Sequence, residues 1–440
     1  MASLAQRLAP RSEGADIAIG PKNRVAQAPV TIGGTAGSDI IALCISDPIS
    51  FVKTLIHLDG SVAQLVLLSH ALPSETVSVL LEDAGCTQLV TDRTDLVTPL
   101  EQCTPEAAIA ATVPADGATK WTLTTSGTTG LPKLIPHTLN SLTRTVARGN
   151  PSTPPRWGLL YDPTRFAGLQ VVLQALIGGG VLLTPDTHAP LADQIAMLKA
   201  QGCTHLSATP TLWRRLLMAP GFSDLSLKQI TLGGEIVDQQ VLDTLAAAHP
   251  CARITHIYAS TEAGVGFAVT DGQAGFPTHF LQESANIGMK IVDEVLWLRP
   301  PLGAQRSLDG TEVETDSEGF IRSGDRIQLK DGRAHFLGRD NGTINVGGVK
   351  IHPEMVEQTI MAIAGVKLAK ISAKKNPISG ALVVAEVMAD DDIDTKALKF
   401  AIQAHCKATL EREAVPAIIR FVDTLTLNAA GKLIRTDDAK

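Results

Sequence analysis

No run of the 440 residues is apolar for long enough to span a bilayer. Residues 1–20 carry charges in place of the unbroken apolar stretch of a secretory leader. Both absences lead us to expect a cytoplasmic protein with no membrane contact. The chain also lacks an excess of basic residues. Its net charge of -7 argues against nucleic acid as a partner, because a phosphate backbone calls for a cationic face. Six cysteines (Cys44, Cys86, Cys103, Cys203, Cys251, Cys406) are scattered without metal-like spacing and read as reduced, mostly buried thiols. There is no internal repeat and no low-complexity tract. What remains is 44% apolar and 19% charged, an ordinary globular composition long enough for two or more domains.

Strand and helix patterns alternate after an irregular, Pro- and Gly-containing lead-in over 1–38 with one short helix. Strands are expected at 40–45, 64–68, 88–90, 121–124, 158–161, 181–183, 205–208, 229–232 and 253–258. Helices are expected at 49–58, 74–84, from Ser141, and at 166–177, 191–200 and 239–248. Alternation of this kind implies an α/β fold of doubly wound parallel sheets, with ligands bound beyond the carboxyl ends of the strands. After about Asp271 the pattern becomes short strands (292–298, 319–323, 326–330, 333–337), a small β unit. The breakers around Gly338-Arg-Asp-Asn-Gly342 mark a boundary. The reading divides the chain into an amino-terminal domain, 1–339, and a small α+β domain, 340–440. The latter is expected to hold helices at 353–364 and 395–410 and strands at 367–374, 381–387 and 418–422.

One stretch organises the rest: Trp121-Thr-Leu-Thr-Thr-Ser-Gly-Thr-Thr-Gly-Leu-Pro-Lys133. A buried strand runs into a loop with hydroxyls on Thr125, Ser126, Thr128 and Thr129, turns at Gly127 and Gly130, and a cation at Lys133. Hydroxyls, unhindered backbone N–H groups and a cation suit phosphate oxygens. The spacing is not that of the GxxxxGK[ST] phosphate loop. Taken alone, the stretch is equally a polar turn after a strand.

Its company decides between these. Tyr258-Ala-Ser-Thr-Glu262 and Ser323-Gly-Asp325 each follow a strand. Gly338-Arg339, Ile344-Asn-Val-Gly-Gly-Val-Lys-Ile351 and Asn428-Ala-Ala-Gly-Lys-Leu-Ile-Arg435 complete the series. In order and approximate spacing these resemble the adenylate-forming superfamily, over roughly residues 40–440: acyl- and aryl-CoA synthetases, nonribosomal-peptide adenylation domains and luciferases. The resemblance implies an ATP-dependent ligase. It joins a carboxylic acid to AMP with release of pyrophosphate, then hands the acyl group to the thiol of CoA or of a carrier protein's phosphopantetheine. Such chemistry rests on positioning and on stabilising phosphate charge.

Residue by residue, the resemblance puts Thr125, Ser126, Gly127, Thr128, Thr129, Gly130 and Lys133 on the β- and γ-phosphates. Tyr258 is expected to stack on adenine, with Gly234, Glu235, Ala259 and Ser260 beside the nucleotide. Thr261 is expected to bond the α-phosphate and Glu262 to hold Mg²⁺. Asp325 is expected to accept from the ribose hydroxyls, with Arg339 adding a contact. Lys432 would bridge the substrate carboxylate and the α-phosphate. The carboxy-terminal domain would then rotate about Asn341, where Asp or Lys is usual. That motion would bring Gly347-Gly348 to the thiol arm, and Lys350 would meet ligand in one of the two states. Gly233, Gly234, Ala259, Gly264 and Val265, with Arg165 and Phe166, are expected to line the acyl pocket.

The chain departs from the pattern in three places. The usual helix and strand before Ile40 look trimmed, so the first sheet is expected to lack an edge or to be completed by a second copy, which leaves a homodimer open. His137 stands two positions ahead of the family's histidine, where this chain has Leu139, and is not given its role. Arg165, in Tyr161-Asp-Pro-Thr-Arg-Phe-Ala-Gly168, replaces a common histidine; it is expected to pair with Asp162 or Glu235, or with a polar group of the substrate. No carrier domain is expected after Lys440. Two other readings stay open: a non-catalytic nucleotide-binding scaffold of the same fold, which intact Glu262, Asp325 and Lys432 oppose, and a phosphate-loop phosphotransferase, which the Lys133 spacing opposes.

Overall fold

The computed structural model describes residues 2–8, 16–21, 24–26, 37–112, 115, 117–125, 131–283, 287–299, 314–377, 379–426 and 433, with backbone only at 26, 283 and 341. Two large sheets dominate it. The six-stranded sheet runs, in spatial order, Glu101–Cys103, Gln88–Thr91, Ile40–Cys44, Gln64–Leu67, Lys120–Thr124 and Leu134–Thr138. The eight-stranded sheet runs Gly264–Val269, Arg253–Ser260, Gln229–Gly233, His205–Ala208, Arg156–Gly158, Val181–Leu183, Asp16–Ile19 and Arg24–Ala26. Interior pairs are parallel. Antiparallel partners close one end of the six-stranded sheet and both ends of the eight-stranded one.

Strand periodicity explains the layering. Ile41, Leu43, Leu65 and Leu67 face a core shared with helices Pro48–Leu58 and Phe166–Ile177. Their neighbours Ala42, Cys44, Val66 and Leu68 face a second core under helix Ser74–Asp83. In the other sheet Ala18 and Leu182 join the shared core, while Ile19, Val181 and Leu183 pack beneath helices Leu191–Ala200, Pro210–Met218 and Gln239–Ala248. Strands Ile40–Cys44, Gln64–Leu67 and Val181–Leu183 are therefore buried on both faces, which is why they read as unbroken apolar runs.

A five-stranded antiparallel unit follows: Phe276–Pro277, Arg333–Arg339, Ile321–Lys330, Val295–Arg299 and Gly288–Val292. Residues 344–421 form their own core, with helices Pro353–Met361 and Thr395–Thr409 on the sheet Val366–Asn376, Gly380–Ala389, Ile418–Phe421. Four of the six thiols are buried and none is in a disulfide. Among the described residues no helix is long and apolar enough to cross a membrane.

Four expectations are corrected. The lead-in is not irregular throughout: besides the short helix Leu4–Arg7 it contributes strands Asp16–Ile19 and Arg24–Ala26, which form an edge of the eight-stranded sheet. The helix placed at Ser141 is only the four residues Leu139–Leu142, capped by Thr138, whose side chain accepts from Ser141 N. The strand expected at 158–161 lies at Arg156–Gly158, leaving Tyr161 beyond its end. The strands expected at 319–323 and 326–330 are one, Ile321–Lys330, so Ser323-Gly-Asp325 sits within a strand. Gly324, at φ +76°, supplies the irregular backbone that made it resemble a turn.

Candidate active site

The hydroxyl-rich stretch begins on a fixed base. Trp121, fully buried, donates from Nε1 to Asp59 Oδ1 at 2.6 Å, and Leu4 N donates to Asp59 Oδ2 at 2.6 Å. Beyond the strand end, Thr125 N donates to Lys133 O at 3.0 Å and Lys133 N donates to Thr125 Oγ1 at 3.2 Å. Thr125 and Lys133 are thus neighbours. Ser126, Gly127, Thr128, Thr129 and Gly130 lie outside the described residues, as does Lys432.

A second group gathers three separate stretches. Tyr258 Oη donates to Asp325 Oδ2 at 2.5 Å. Arg339 Nε is 3.2 Å from Asp325 Oδ1, and Arg339 Nη2 donates to Ser323 O at 2.9 Å. Antiparallel register makes Asp325 and Arg339 direct partners across two strands. Ser323 adds a brace: Asp325 N donates to Ser323 Oγ at 3.1 Å, and Ser323 Oγ donates to Leu296 O at 2.7 Å. Phe267 and Phe336 stack on Tyr258, with ring centroids 5.3 and 5.1 Å away. Burial, then the Asp325 carboxylate, push the Tyr258 phenol well above its ordinary value, so it stays a neutral donor.

The strand Arg253–Ser260 ends in a turn closed by Ala263 N donating to Ser260 Oγ at 3.0 Å. Thr261 and Glu262 on this turn are half-buried. Glu262 makes no hydrogen bond or ion pair to a described residue, so its oxygens remain open to a hard cation. No cluster of three or more candidate metal-ligating side chains occurs among the described residues. A single carboxylate fits Mg²⁺ brought with a triphosphate, which supplies most of the remaining oxygens itself.

On the acid side, Gly233 ends its strand and Gly234 turns with φ +82°. Glu235 Oε2 accepts from Thr211 N at 3.0 Å, capping the helix Pro210–Met218. Gly264 turns with φ +73°, and Val265 O accepts from Arg144 Nη2 at 2.6 Å. Ala259 is half-buried between these turns in sequence. Phe166 is buried at the start of its helix, 6.1 Å from the His137 ring. Asp162 Oδ1 accepts from Thr164 N at 2.9 Å and Thr164 Oγ1 at 2.6 Å, while its Oδ2 is buried with no partner among the described residues.

The partners expected for Arg165 are corrected. Neither Asp162 nor Glu235 forms an ion pair with it. Instead Arg165 Nη1 donates to Thr124 Oγ1 (2.9 Å), Thr124 O (3.2 Å) and Thr125 O (3.4 Å). Burial lowers its pKa, and nearby Asp162 opposes that shift.

In the carboxy-terminal module, Gly347 and Gly348 (φ +61° and +94°) form the exposed turn of the hairpin Ile344–Val346/Val349–Ile351. Gly347 N donates to Ser379 O at 2.8 Å and Gly348 N to Asn345 Oδ1 at 2.9 Å. Lys350 is exposed. The Asn341 backbone lies in the turn Asp340–Gly342, whose Asp340 is held by Arg322 and by Arg326 Nη1 at 3.3 Å.

Sequence reasoning missed several contributors. Ser323 was read only as the end of a strand, with no role of its own. Phe267 and Phe336 sit singly in strands and give no signal until the fold stacks them. His137 is 4% exposed, its Nε2 has no partner among the described residues, and its ring accompanies the Thr261 backbone.

Comparison with known proteins agrees with this geometry. The profile of the AMP-binding enzyme family matches residues 23–301, and the chain belongs to that family. Surfactin synthase subunit 2 of Bacillus subtilis is 24% identical over 91% of this chain and 12% of its own length. A fatty acid–[acyl-carrier-protein] ligase of Mycobacterium marinum is 26% identical over 71% of this chain and 66% of its own. The chain therefore spans only part of these curated relatives. Among solved structures, the anthranilate CoA ligase in complex with anthranoyl-AMP superposes with a TM-score of 0.82 at 17% identity, over 98% of this chain and 94% of that one. The o-succinylbenzoate CoA synthetase of Bacillus subtilis gives 0.75 at 18% identity, over 99% and 97%.

Proposed function

We propose that the protein activates a small carboxylic acid, aryl or acyl, as its acyl-adenylate at the expense of ATP. The acyl group then passes to the thiol of CoA or of a carrier protein's phosphopantetheine. The observation that carries this is the joining of Tyr258, Asp325 and Arg339 from three separate stretches, with Glu262 left without a partner among the described residues on the adjoining turn. A carboxylate fixed by a phenol and a guanidinium is preorganised to accept from a ribose diol. We assign Tyr258 to holding Asp325 rather than to stacking on adenine, since its ring already stacks on Phe267 and Phe336. The names of the relatives above, acid–CoA and acid–carrier ligases and peptide synthases, support the same reaction class.

In this reading Thr125 and Lys133, with the hydroxyls between them, take the β- and γ-phosphates, and Thr261 takes the α-phosphate. Glu262 would hold Mg²⁺, which neutralises phosphate charge as pyrophosphate leaves. Lys432 neutralises the two anions as they meet. We assign 340–440 as a separate domain turning about Asn341, with Gly347-Gly348 serving the thiol.

The test is exchange of labelled pyrophosphate into ATP across a panel of aryl, fatty and amino acids. Acid-dependent exchange with one class is expected. Nucleotide binding with no exchange for any acid would leave a scaffold and end this proposal.

A further inference from the structure

Arg165 is a half-buried guanidinium with no carboxylate in ion-pair contact among the described residues. A cation so placed is held by its hydrogen bonds, or it is costly. Its Nη1 serves three oxygens on two consecutive residues, Thr124 O, Thr124 Oγ1 and Thr125 O. These oxygens lie where the strand Lys120–Thr124 ends. Thr125 is also the residue that closes on Lys133.

The other end of Arg165 is equally fixed. Arg165 N donates to Asp162 O at 3.1 Å, and Leu169 N donates to Arg165 O at 2.8 Å, starting the helix Phe166–Ile177. That first turn lies so close to Asp162 that a Cβ on Gly168 would come within 2.0 Å of Asp162 O. The guanidinium therefore projects from a rigid helix start. Its Nε and Nη2 donate to no described residue.

We propose that Arg165 is a positioning residue for the triphosphate. It ties the Thr124–Thr125 end of the hydroxyl-rich loop to the start of the Phe166–Ile177 helix, and so governs ATP affinity more than the choice of acid. This rests on the adenylation reading above. A guanidinium suits the role better than an ammonium, because it keeps its charge when half-buried, where a lysine is more readily neutralised.

Three measurements test it on the full-length protein: MgATP affinity by calorimetry without acid, KM for ATP and for acid in pyrophosphate exchange, and melting temperature. Arg165→Ala should weaken MgATP binding by about ten- to a hundredfold, the effect of losing charge-assisted hydrogen bonds. The order of preferred acids should not change. Arg165→Lys should recover part of the ATP affinity and supplies the readout if the alanine variant fails to fold. An altered acid profile with unchanged MgATP affinity would overturn the proposal in favour of acid recognition. Lower melting temperature with both affinities retained would overturn it in favour of a purely structural role. A wild-type protein that binds no MgATP would instead overturn the adenylation reading itself.

Discussion

Glu262 and Asp325 are both half-buried carboxylates of one site, but they are held differently. Asp325 has its oxygens engaged by Tyr258 and Arg339, so it is oriented before any ligand arrives. Glu262 has no such partner among the described residues, which is the condition of a group kept for a cation. Glu262→Gln preserves shape and removes charge. We expect it to lower pyrophosphate exchange by about a hundredfold or more, since a catalytic metal supplies several kcal/mol of charge stabilisation, and to raise the Mg²⁺ needed. Full exchange at low Mg²⁺ would take Glu262 out of the metal site. His137 gives a prediction in pH. Burial lowers its pKa from 6.5 to about 4, against a weaker opposing contact with the Thr261 backbone. Between these values the unfolded chain binds a proton that the native protein refuses, so this histidine makes stability fall as pH drops from about 6.5 to 4. The contribution is roughly 2–3 kcal/mol at the acid end. His137→Leu should show a shallower loss of urea midpoint over that window, and parallel pH curves for the two proteins would refute it.

Individual elements show which features can be read from a sequence. Helices Phe166–Ile177, Leu191–Ala200 and Gln239–Ala248 lie where their apolar spacing puts them, because each faces a core along one stripe. Strand Val181–Leu183 was legible as a short apolar run for the reason already given, burial on both faces. Asp16–Ile19 was not legible, since four residues among prolines and glycines show no period. The site divides the same way. Tyr258, Asp325 and Arg339 were singled out by motif and the fold brings them together, whereas the partners of Arg165 lie some forty residues away and depend on how a helix start meets a strand end. The anchor beneath the hydroxyl-rich stretch is another such contact. Asp59→Ala would strip the buried Trp121 Nε1 and Leu4 N of an acceptor. At about 1–3 kcal/mol for each buried donor left unsatisfied, we expect a loss of roughly 2–5 kcal/mol in denaturant unfolding. A change under 1 kcal/mol would mean that water or another acceptor replaces it.

At the scale of the molecule, the carboxy-terminal core borders the rest of the chain at a cleft. A shallow cleft of about 180 Å³ lies between Arg214, Met218 and Thr244 on one side and Met361, Lys367 and Asp390 on the other. In this arrangement the turn of Gly347 and Gly348 is exposed, with open space where side chains would be. A β-branched residue at Gly348 would therefore cost stability only through its backbone, at φ +94°. If the module turns between two half-reactions, substitutions in it should separate them. Lys432→Ala removes a cation needed only while carboxylate and phosphate approach. Losses of this kind run to about 3–4 kcal/mol, or two to three orders of magnitude in rate. The variant should make acyl-adenylate poorly from acid and ATP. Given synthetic acyl-adenylate and the thiol, it should still form thioester near the wild-type rate, because that step needs the turned module instead. Gly348→Val should behave in the opposite way, sparing pyrophosphate exchange while blocking thioester formation. Equal damage to both half-reactions by either variant, or damage to neither, would mean that this chain does not divide its chemistry between two positions of the carboxy-terminal module.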